Sequence, residues 1–389
     1  MMEPEIHRPQ PEALPASTDA AHAPETVAPS LGERFFRWMS WTFYGSQGLR
    51  AGWSLLIFFL LTGLIGAAVG FVFVHLHLVD FSKMDRMTAS SMFFGEVISF
   101  LALVGAASVM ALIEGRRNLL AYNLTGPRRI PHFFSGLAAG FIALSVLVGA
   151  MNWGGWLHFG PVALSGAEIF RYGAIWAAVF LMVGCVEEGM FRCYFQFTFT
   201  RGINFWWAAG IIVLLCLSLY ARALGISAWG VYAVALLGLL PCLLLHIKKT
   251  PGANFWQAAW VTSTFFGYIH LGNKGENWIG IFAAAFIGFV FCVSVWVTGS
   301  AWWAIGCHAA WDWAETYFYG TADSGMVAPG HYLTTSTSGN ALWSGGADGP
   351  EGSLLVLGAI LLLLAALLAI YGRKRAAPLA TPCAEEVSG

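Results

Sequence analysis

Long apolar segments run through this chain, and charged residues interrupt them mainly at their ends. A helix needs about 20 apolar residues to cross the hydrocarbon core of a bilayer. Because every backbone polar group must be satisfied inside the membrane, such segments predict helices. We therefore predict an all-α fold, a polytopic transmembrane helix bundle of about ten spans. The predicted spans are 51–78, 90–113, 133–152, 172–198, 205–221, 226–246, 254–271, 279–298, 300–319 and 353–371.

The composition changes this picture little. Hydrophobic residues make up 58% of the chain and charged residues only 11%, whereas soluble domains carry about 25% charged residues. The seven Cys are scattered and form no C-x-x-C pair, so we interpret them as small buried residues and not as disulfides or a zinc site. A formal net charge of −1 gives no indication of a nucleic-acid partner.

The residues before the first span divide into two parts. Residues 1–33 are rich in Pro, Ala, Glu and His and cannot bury enough apolar surface to fold, so we predict a disordered cytoplasmic tail. Residues 34–50 mix aromatic side chains with Arg, a pattern typical of a helix that lies in the membrane interface.

Basic residues predict the orientation of the spans, because cytoplasmic loops carry an excess of Lys and Arg. With ten spans, four basic clusters fall on the same side of the membrane. We therefore predict a multi-pass protein with both termini in the cytoplasm, including the tail that follows the last span within 353–389. The connection 320–352 contains no Lys or Arg, and we predict that it is an external loop. The clusters are Arg34, Arg37 and Arg50; Arg116, Arg117, Arg128 and Arg129; Lys248 and Lys249; and Arg373, Lys374 and Arg375.

Two adjacent acids lie inside one predicted span. A carboxylate at the centre of a membrane helix costs about 2.5–3.5 kcal/mol, so such residues are usually functional and usually paired. Arg192 follows Glu188 by four residues and shares its helix face, which predicts an ion pair. Glu187 points about 100° to the side and has no such partner. The pattern therefore favours Glu187 as the acid that is available for chemistry.

Two further clusters of polar residues occur in later spans. Phe266 and His270 are four residues apart, and His308 and Asp312 form a second pair with the same spacing. Residues four apart lie on one helix face. An acid and two imidazoles on three packed helices can supply a base that activates water and donors for a developing oxyanion.

Structural interpretations compete with each of these assignments. His270 stands near a helix end, where a solvated or capping histidine is common. Glu188 and Arg192 can be a purely structural ion pair, and we favour a supporting role for them even within an enzyme. Glu315, three residues after Asp312, can be the local hydrogen-bond partner of a Trp or Tyr.

Taken together, the clusters resemble the three motifs, in the same order, of the CPBP intramembrane endopeptidases, which include the eukaryotic CaaX prenyl endopeptidase. The resemblance implies catalytic helices over 171–319. The hydrophobic pattern predicts an extra helix pair at 205–246 within this range and N-terminal transmembrane helices over 51–170 before it. The matching motifs are Glu187-Glu188-x-x-x-Arg192, Phe266-x-x-x-His270 and His308-x-x-x-Asp312.

The resemblance also implies roles for individual residues. Glu187 resembles the residue that activates water, and His270 resembles its assistant. His308 and Asp312 resemble the residues that stabilise the oxyanion, although Asn is common at the second of these positions. The residues implied as supporting are Glu188, Arg192 and Phe266.

The implied activity is that of a metal-independent glutamic endopeptidase, without a cofactor, in a bacterial inner membrane. Its expected partners are the lipid bilayer and a peptide or protein substrate, with or without a lipid modification. Glu187, His270 and His308 also form a conceivable His₂Glu zinc set, but the H-E-x-x-H pattern that holds zinc on one helix is missing. Two other functions stay open: a catalytically idle protein that binds a membrane partner, such as a bacteriocin-immunity protein, and a proton-coupled transporter.

Overall fold

A computed structural model describes residues 30–79, 88–221, 228–273, 275–323 and 325–372. This part of the chain is helical apart from four short strands, which confirms the predicted all-α class. The helices are α1 (Leu31–Phe43), α2 (Ala51–His75), α3 (Ala89–Ile113), α4 (Arg129–Trp153), α5 (Ala167–Glu188), α6 (Gln196–Gly202), α7 (Phe205–Ala221), α8 (Ala228–Lys248), α9 (Ala253–His270), α10 (Trp278–Thr298), α11 (Trp302–Asp312), α12 (Ala341–Ser344) and α13 (Leu354–Tyr371). The strands are β1 (Tyr44–Gly45), β2 (Gly48–Leu49), β3 (Leu157–Val162) and β4 (Leu333–Thr337).

Helix α1 belongs to a unit of its own that ends at Tyr44. The helix occupies Leu31–Phe43, so it begins earlier and ends earlier than the predicted 34–50. It begins earlier because Ser30 and Glu33 form a capping box, in which each side chain accepts the other's backbone N–H. Most of the predicted disordered tail, 1–29, lies outside the described residues, as does the predicted C-terminal tail beyond Gly372.

Six helical segments of the second unit, from Gly45 onward, are long and apolar enough to cross a membrane, so the fold is that of a multi-pass membrane protein. Helices α7 and α8 are apolar over shorter stretches. Helices α9 and α11 carry more polar residues than α7 and α8. The six segments are Ala51–His75, Ala89–Ile113, Arg129–Trp153, Ala167–Gly202, Trp278–Thr298 and Leu354–Tyr371.

Two helices continue as π-helices at the positions of candidate site residues. Helix α5 ends with Glu188, and a π-helix over Gly189–Phe195 leads into α6. Helix α11 ends with Asp312, and a second π-helix covers Trp313–Tyr319. A π-helix is wider than an α-helix and is frequent at functional sites. The hydrophobic pattern, which has the α-helical period, did not predict either segment.

Helix α11 packs closely against α4 through glycines. A Cβ atom on Gly136 or Gly140 of α4 would collide with the backbone of α11, and one on Gly306 of α11 would collide with the backbone of α4. On α5, a Cβ atom on Gly184 would lie 2.9 Å from the carbonyl oxygen of Ile305. Small residues four apart allow membrane helices to approach at backbone distance. The glycines thereby fix α11 between α4 and α5.

The segment 320–352, predicted as an external loop, is folded onto the helices. Strand β4 pairs antiparallel with β3, and Pro350–Gly352 form a turn of 3₁₀-helix before α13. Asn277 holds this segment, because its side-chain amide donates to the carbonyl oxygens of Gly345 (3.2 Å) and Gly352 (3.1 Å). The fully buried Asp348 accepts the backbone N–H of Asn277 at 3.2 Å. The segment is therefore anchored at the start of α10.

We predict that Gly140→Leu separates α4 from α11 and lowers the thermal stability of the purified protein. Overpacking a buried contact costs about 1–3 kcal/mol, and here the obstacle is backbone, which cannot rotate away. Gly149→Ala is the matched control on the same helix, because a Cβ atom there meets nothing within 4 Å. Equal unfolding temperatures for the two variants would contradict the close packing.

The anchored segment also predicts a pH dependence. Burial, followed by the carboxylate of Asp348, raises the pKa of Glu276 to about 7, and burial raises the pKa of Asp348 to about 6. The folded protein therefore binds these protons more tightly than the unfolded chain, and their stabilisation is lost as pH rises through these values. We expect the unfolding temperature to fall between about pH 5 and pH 8, and to fall less in Glu276→Gln. An identical pH profile for the variant would show that Glu276 does not contribute.

Candidate active site

Three helices bring the four residues predicted as catalytic to one cavity of about 240 Å³, whereas Glu188, Arg192 and Phe266 do not line it. Helix α5 supplies Glu187, α9 supplies His270, and α11 supplies His308 and Asp312. The cavity is polar although apolar helices surround it. Three further acids line it that the sequence reasoning did not include: Glu96, Asp323 and Glu351.

His308 stands at the centre of this group. Its Nδ1 atom lies 2.9 Å from Oε1 of Glu188. Its Nε2 atom lies 3.4 Å from Oδ2 of Asp312 and 3.8 Å from Oε2 of Glu187. Because an ionised carboxylate only accepts hydrogen bonds, Glu188 places a proton on Nδ1 and leaves Nε2 toward Glu187 and Asp312. The same arrangement of acid and imidazole orients catalytic histidines in general.

Glu188 and Arg192 form the predicted ion pair. Arg192 Nε lies 3.0 Å from Glu188 Oε2, and both side chains are fully buried. Glu188 therefore binds Arg192 with one oxygen and His308 with the other. Glu188 was predicted to support the site through Arg192, and in the structure it also contacts His308. The sequence did not indicate the second contact, because His308 lies 120 residues further along the chain.

Aromatic rings enclose the Arg192 guanidinium group. Its central carbon lies 4.3 Å from the ring centroid of Phe266, 5.4 Å from that of Phe291 and 5.7 Å from that of Phe191. A buried guanidinium over aromatic faces gains about 2 kcal/mol or more per favourable contact. Gly288 leaves the necessary space, because a Cβ atom there would lie 2.6 Å from Arg192 Nη2. Phe266, which the resemblance implied as a supporting residue, therefore contacts the Arg192 guanidinium group through its ring face.

Neither Phe291 nor Gly288 was predicted, and no signal in the sequence singles them out. Both lie on α10, which reads as a uniformly apolar span. The Phe291 ring also stacks on His308, with 5.8 Å between centroids and 27° between planes.

His270 is oriented by its own helix. Its Nδ1 atom lies 2.7 Å from the carbonyl oxygen of Phe266. Because a carbonyl oxygen accepts, Nδ1 carries the proton and Nε2 is left as an acceptor. The half-buried ring is the last residue of α9 and lines the same cavity as Glu187.

A second, narrower pocket of about 50 Å³ adjoins the site. His270, His308, Asp312 and Glu351 line both it and the larger cavity. The other walls are mainly apolar side chains of α10 and α13, among them Ala283, Ile287, Val356 and Ile360. The candidate residues therefore lie between a polar cavity and an apolar pocket.

The extra helix pair lies away from these cavities. Side chains of α7 and α8, including Ile212 and Cys242, share an apolar core with Ala258 and Val261 of α9. Within the described part of α7 and α8, no residue lines either cavity. The long separation between Glu187 and His270 in the sequence thus does not keep them apart in space.

Comparison with known proteins identifies a family for part of the chain. Residues 242–314 match the family described as type II CAAX prenyl endopeptidase Rce1-like. This range contains Phe266, His270, His308 and Asp312, whereas Glu187, Glu188 and Arg192 precede it. No curated protein and no solved structure matches the chain.

The buried ion pair predicts a large loss of stability in Arg192→Ala. Removing one partner strands the charge of Glu188 in an apolar interior, which costs about 3–5 kcal/mol. Arg171→Ala, at an exposed Arg on α5, which precedes the π-helix of Arg192, is the control and should unfold like the wild type. The double variant Glu188→Gln, Arg192→Ala should recover part of the loss. A normal melting curve for Arg192→Ala would refute the structural role of the pair.

Proposed function

We propose that the chain is an intramembrane endopeptidase, because residues 242–314 match the family described as type II CAAX prenyl endopeptidase Rce1-like. The observation that carries the proposal is the convergence of Glu187, His270, His308 and Asp312 on one polar cavity among apolar helices. Ionisable groups are costly in such surroundings and usually mark a functional site.

In the proposed reaction, Glu187 and His270 activate a water molecule. Oε2 of Glu187 is buried and has no hydrogen-bond partner among the described residues, which leaves it able to accept a proton from water. The Nε2 atom of His270 is the second acceptor. The water oxygen attacks the carbonyl carbon of the scissile bond, and the proton held by Glu187 passes to the leaving amine.

His308 then stabilises the oxyanion. In this step Nδ1 keeps its bond to Glu188 and Nε2 carries a second proton, so His308 acts as an imidazolium whose Nε2–H donates to the carbonyl oxygen of the substrate as that oxygen gains negative charge. An ionised Asp312 cannot donate to an oxyanion, but at 3.4 Å from Nε2 it favours the proton on His308 and orients the ring. Asp312 is therefore proposed as a residue that acts through His308.

The proposed membrane topology has ten crossings. Helices α7, α8 and α9, and α11 with its π-helical extension to Tyr319, complete the six longer spans. Because basic residues favour the cytoplasmic side, the proposed orientation has both termini in the cytoplasm of a bacterial cell and 320–352 outside. A peptide or protein substrate, with or without a lipid modification, reaches the cavity from the membrane or from water. The reaction is proposed to need no metal.

We predict that Glu187→Gln abolishes hydrolysis but leaves folding intact. Loss of a general base lowers the rate by about 10²–10⁴, whereas no buried cation is stranded, because Glu188 pairs with Arg192. The measurement is cleavage of a quenched fluorescent peptide library by purified protein in lipid nanodiscs, with identification of peptides retained by the variant. Glu168→Gln, at an exposed acid of the same helix, is the control. Activity of Glu187→Gln within tenfold of the wild type, about 1.4 kcal/mol in the barrier, would exclude Glu187 as the base.

A further inference from the structure

Three acids beside the cavity form a second cluster that the proposed reaction does not use. Glu315 lies on the π-helix after α11, Asp323 follows it in the chain, and Glu351 lies in the turn before α13. One carboxylate oxygen from each lies within 4.8 Å of the other two. In the described part of the chain, no other group of three His, Cys, Asp or Glu side chains brings its ligand atoms this close together.

Neutral donors hold the cluster but do not balance its charge. The indole N–H of Trp311 donates to Glu315 Oε2 (3.1 Å) and to Glu351 Oε1 (2.9 Å), and it thereby confirms the predicted link between Glu315 and a nearby Trp. The hydroxyl of Thr316 donates to Asp323 Oδ2 at 2.6 Å. Neither Glu315 nor Glu351 forms an ion pair with a described residue.

Within the cluster, the Glu315 carboxyl group is buried and incompletely hydrogen-bonded. The side chain is fully buried, and its Oε1 atom has no hydrogen-bond partner among the described residues. A buried carboxylate oxygen without a partner costs several kcal/mol unless a proton or a cation satisfies it. The atom belongs to the carboxyl group that contributes an oxygen to the cluster, so an unsatisfied acceptor lies beside the three acids.

We propose that a hard divalent cation such as Ca²⁺ binds between Glu315, Asp323 and Glu351. Carboxylate oxygens are the ligands that Ca²⁺ prefers, and the ion completes a shell of about 6–8 oxygens with backbone carbonyls and water. The site differs from a zinc centre at Glu187, because it contains no imidazole or thiolate. It is independent of the proposed peptidase activity.

The cation would join three parts of the chain. Glu315 continues the helix that carries His308 and Asp312, while Asp323 and Glu351 belong to the segment that folds onto the helices. Both Asp323 and Glu351 also line the larger cavity. Bound Ca²⁺ thus ties this segment to α11 and fixes one wall of the cavity.

The test measures cation binding and stability, not activity. Purified full-length protein in detergent is first stripped with a chelator and then titrated with CaCl₂ or MgCl₂, and binding is followed by calorimetry and thermal unfolding. NaCl of equal ionic strength is the salt control. We expect saturable binding of one Ca²⁺ and a rise in unfolding temperature for the wild type, because an ion that binds only the folded state stabilises it.

Variants locate the site. Glu315→Gln and Glu351→Gln should weaken binding about tenfold or more, whereas Glu276→Gln removes a neighbouring acid outside the cluster and should bind normally. If Glu315→Gln does not fold, the titrations of Glu351→Gln and of the wild-type protein still test whether the cluster binds a cation. The proposal is overturned if wild-type protein binds no divalent cation, or if Glu276→Gln loses binding as strongly as Glu351→Gln. It also fails if lower pH alone stabilises the stripped protein and cations add nothing, because shared protons would then satisfy the acids.

Discussion

The ion pair between Glu188 and Arg192 is the interaction on which the rest of the site depends. Both side chains are fully buried, so each charge has lost its hydration and is retained only because the other is in place. The pair also organises its surroundings. Arg192 requires the rings of Phe266 and Phe291, and its backbone carbonyl accepts the side-chain amide of Asn123 at 2.8 Å. Glu188 in turn holds His308. One electrostatic requirement therefore places residues from several helices.

Backbone packing determines where this pair can act. Gly136, Gly140 and Gly306 let α4 and α11 approach until their main chains touch, and Gly184 does the same between α5 and α11. The Glu188 and His308 side chains can form their 2.9 Å contact only because α5 and α11 pack this closely. The charges of Glu188 and Arg192 determine which side chains pair, whereas the glycines determine how close the helices that carry Glu188 and His308 can come.

The sequence predicted those features that local spacing encodes. The ion pair of Glu188 and Arg192 follows from a four-residue interval, and the hydrophobic pattern identified most of the helices. Contacts between distant helices have no such signal. The bond from Glu188 to His308, the space that Gly288 leaves for Arg192, and the position of Glu351 beside Trp311 all depend on how helices pack. The Gly136-x-x-x-Gly140 pattern is readable in the sequence and is typical of a close contact between membrane helices, but it does not identify α11 as the partner.

The π-helix after Glu188 determines how this part of the chain responds to a change in its length. A π-helix holds more residues per turn than an α-helix, so its wider turn accommodates an extra residue. Gln196, the first residue of α6, donates to the carbonyl oxygen of Phe255 (2.9 Å) and accepts from Thr262 (3.1 Å). If one residue between Gly189 and Phe195 were removed and the stretch returned to an ordinary α-helix, Gln196 would keep nearly its present direction, because the wider turn is what accommodates the extra residue. A one-residue deletion here is therefore less disruptive to the contacts of Gln196 than the same deletion inside α5, where it would rotate every later side chain by about 100°.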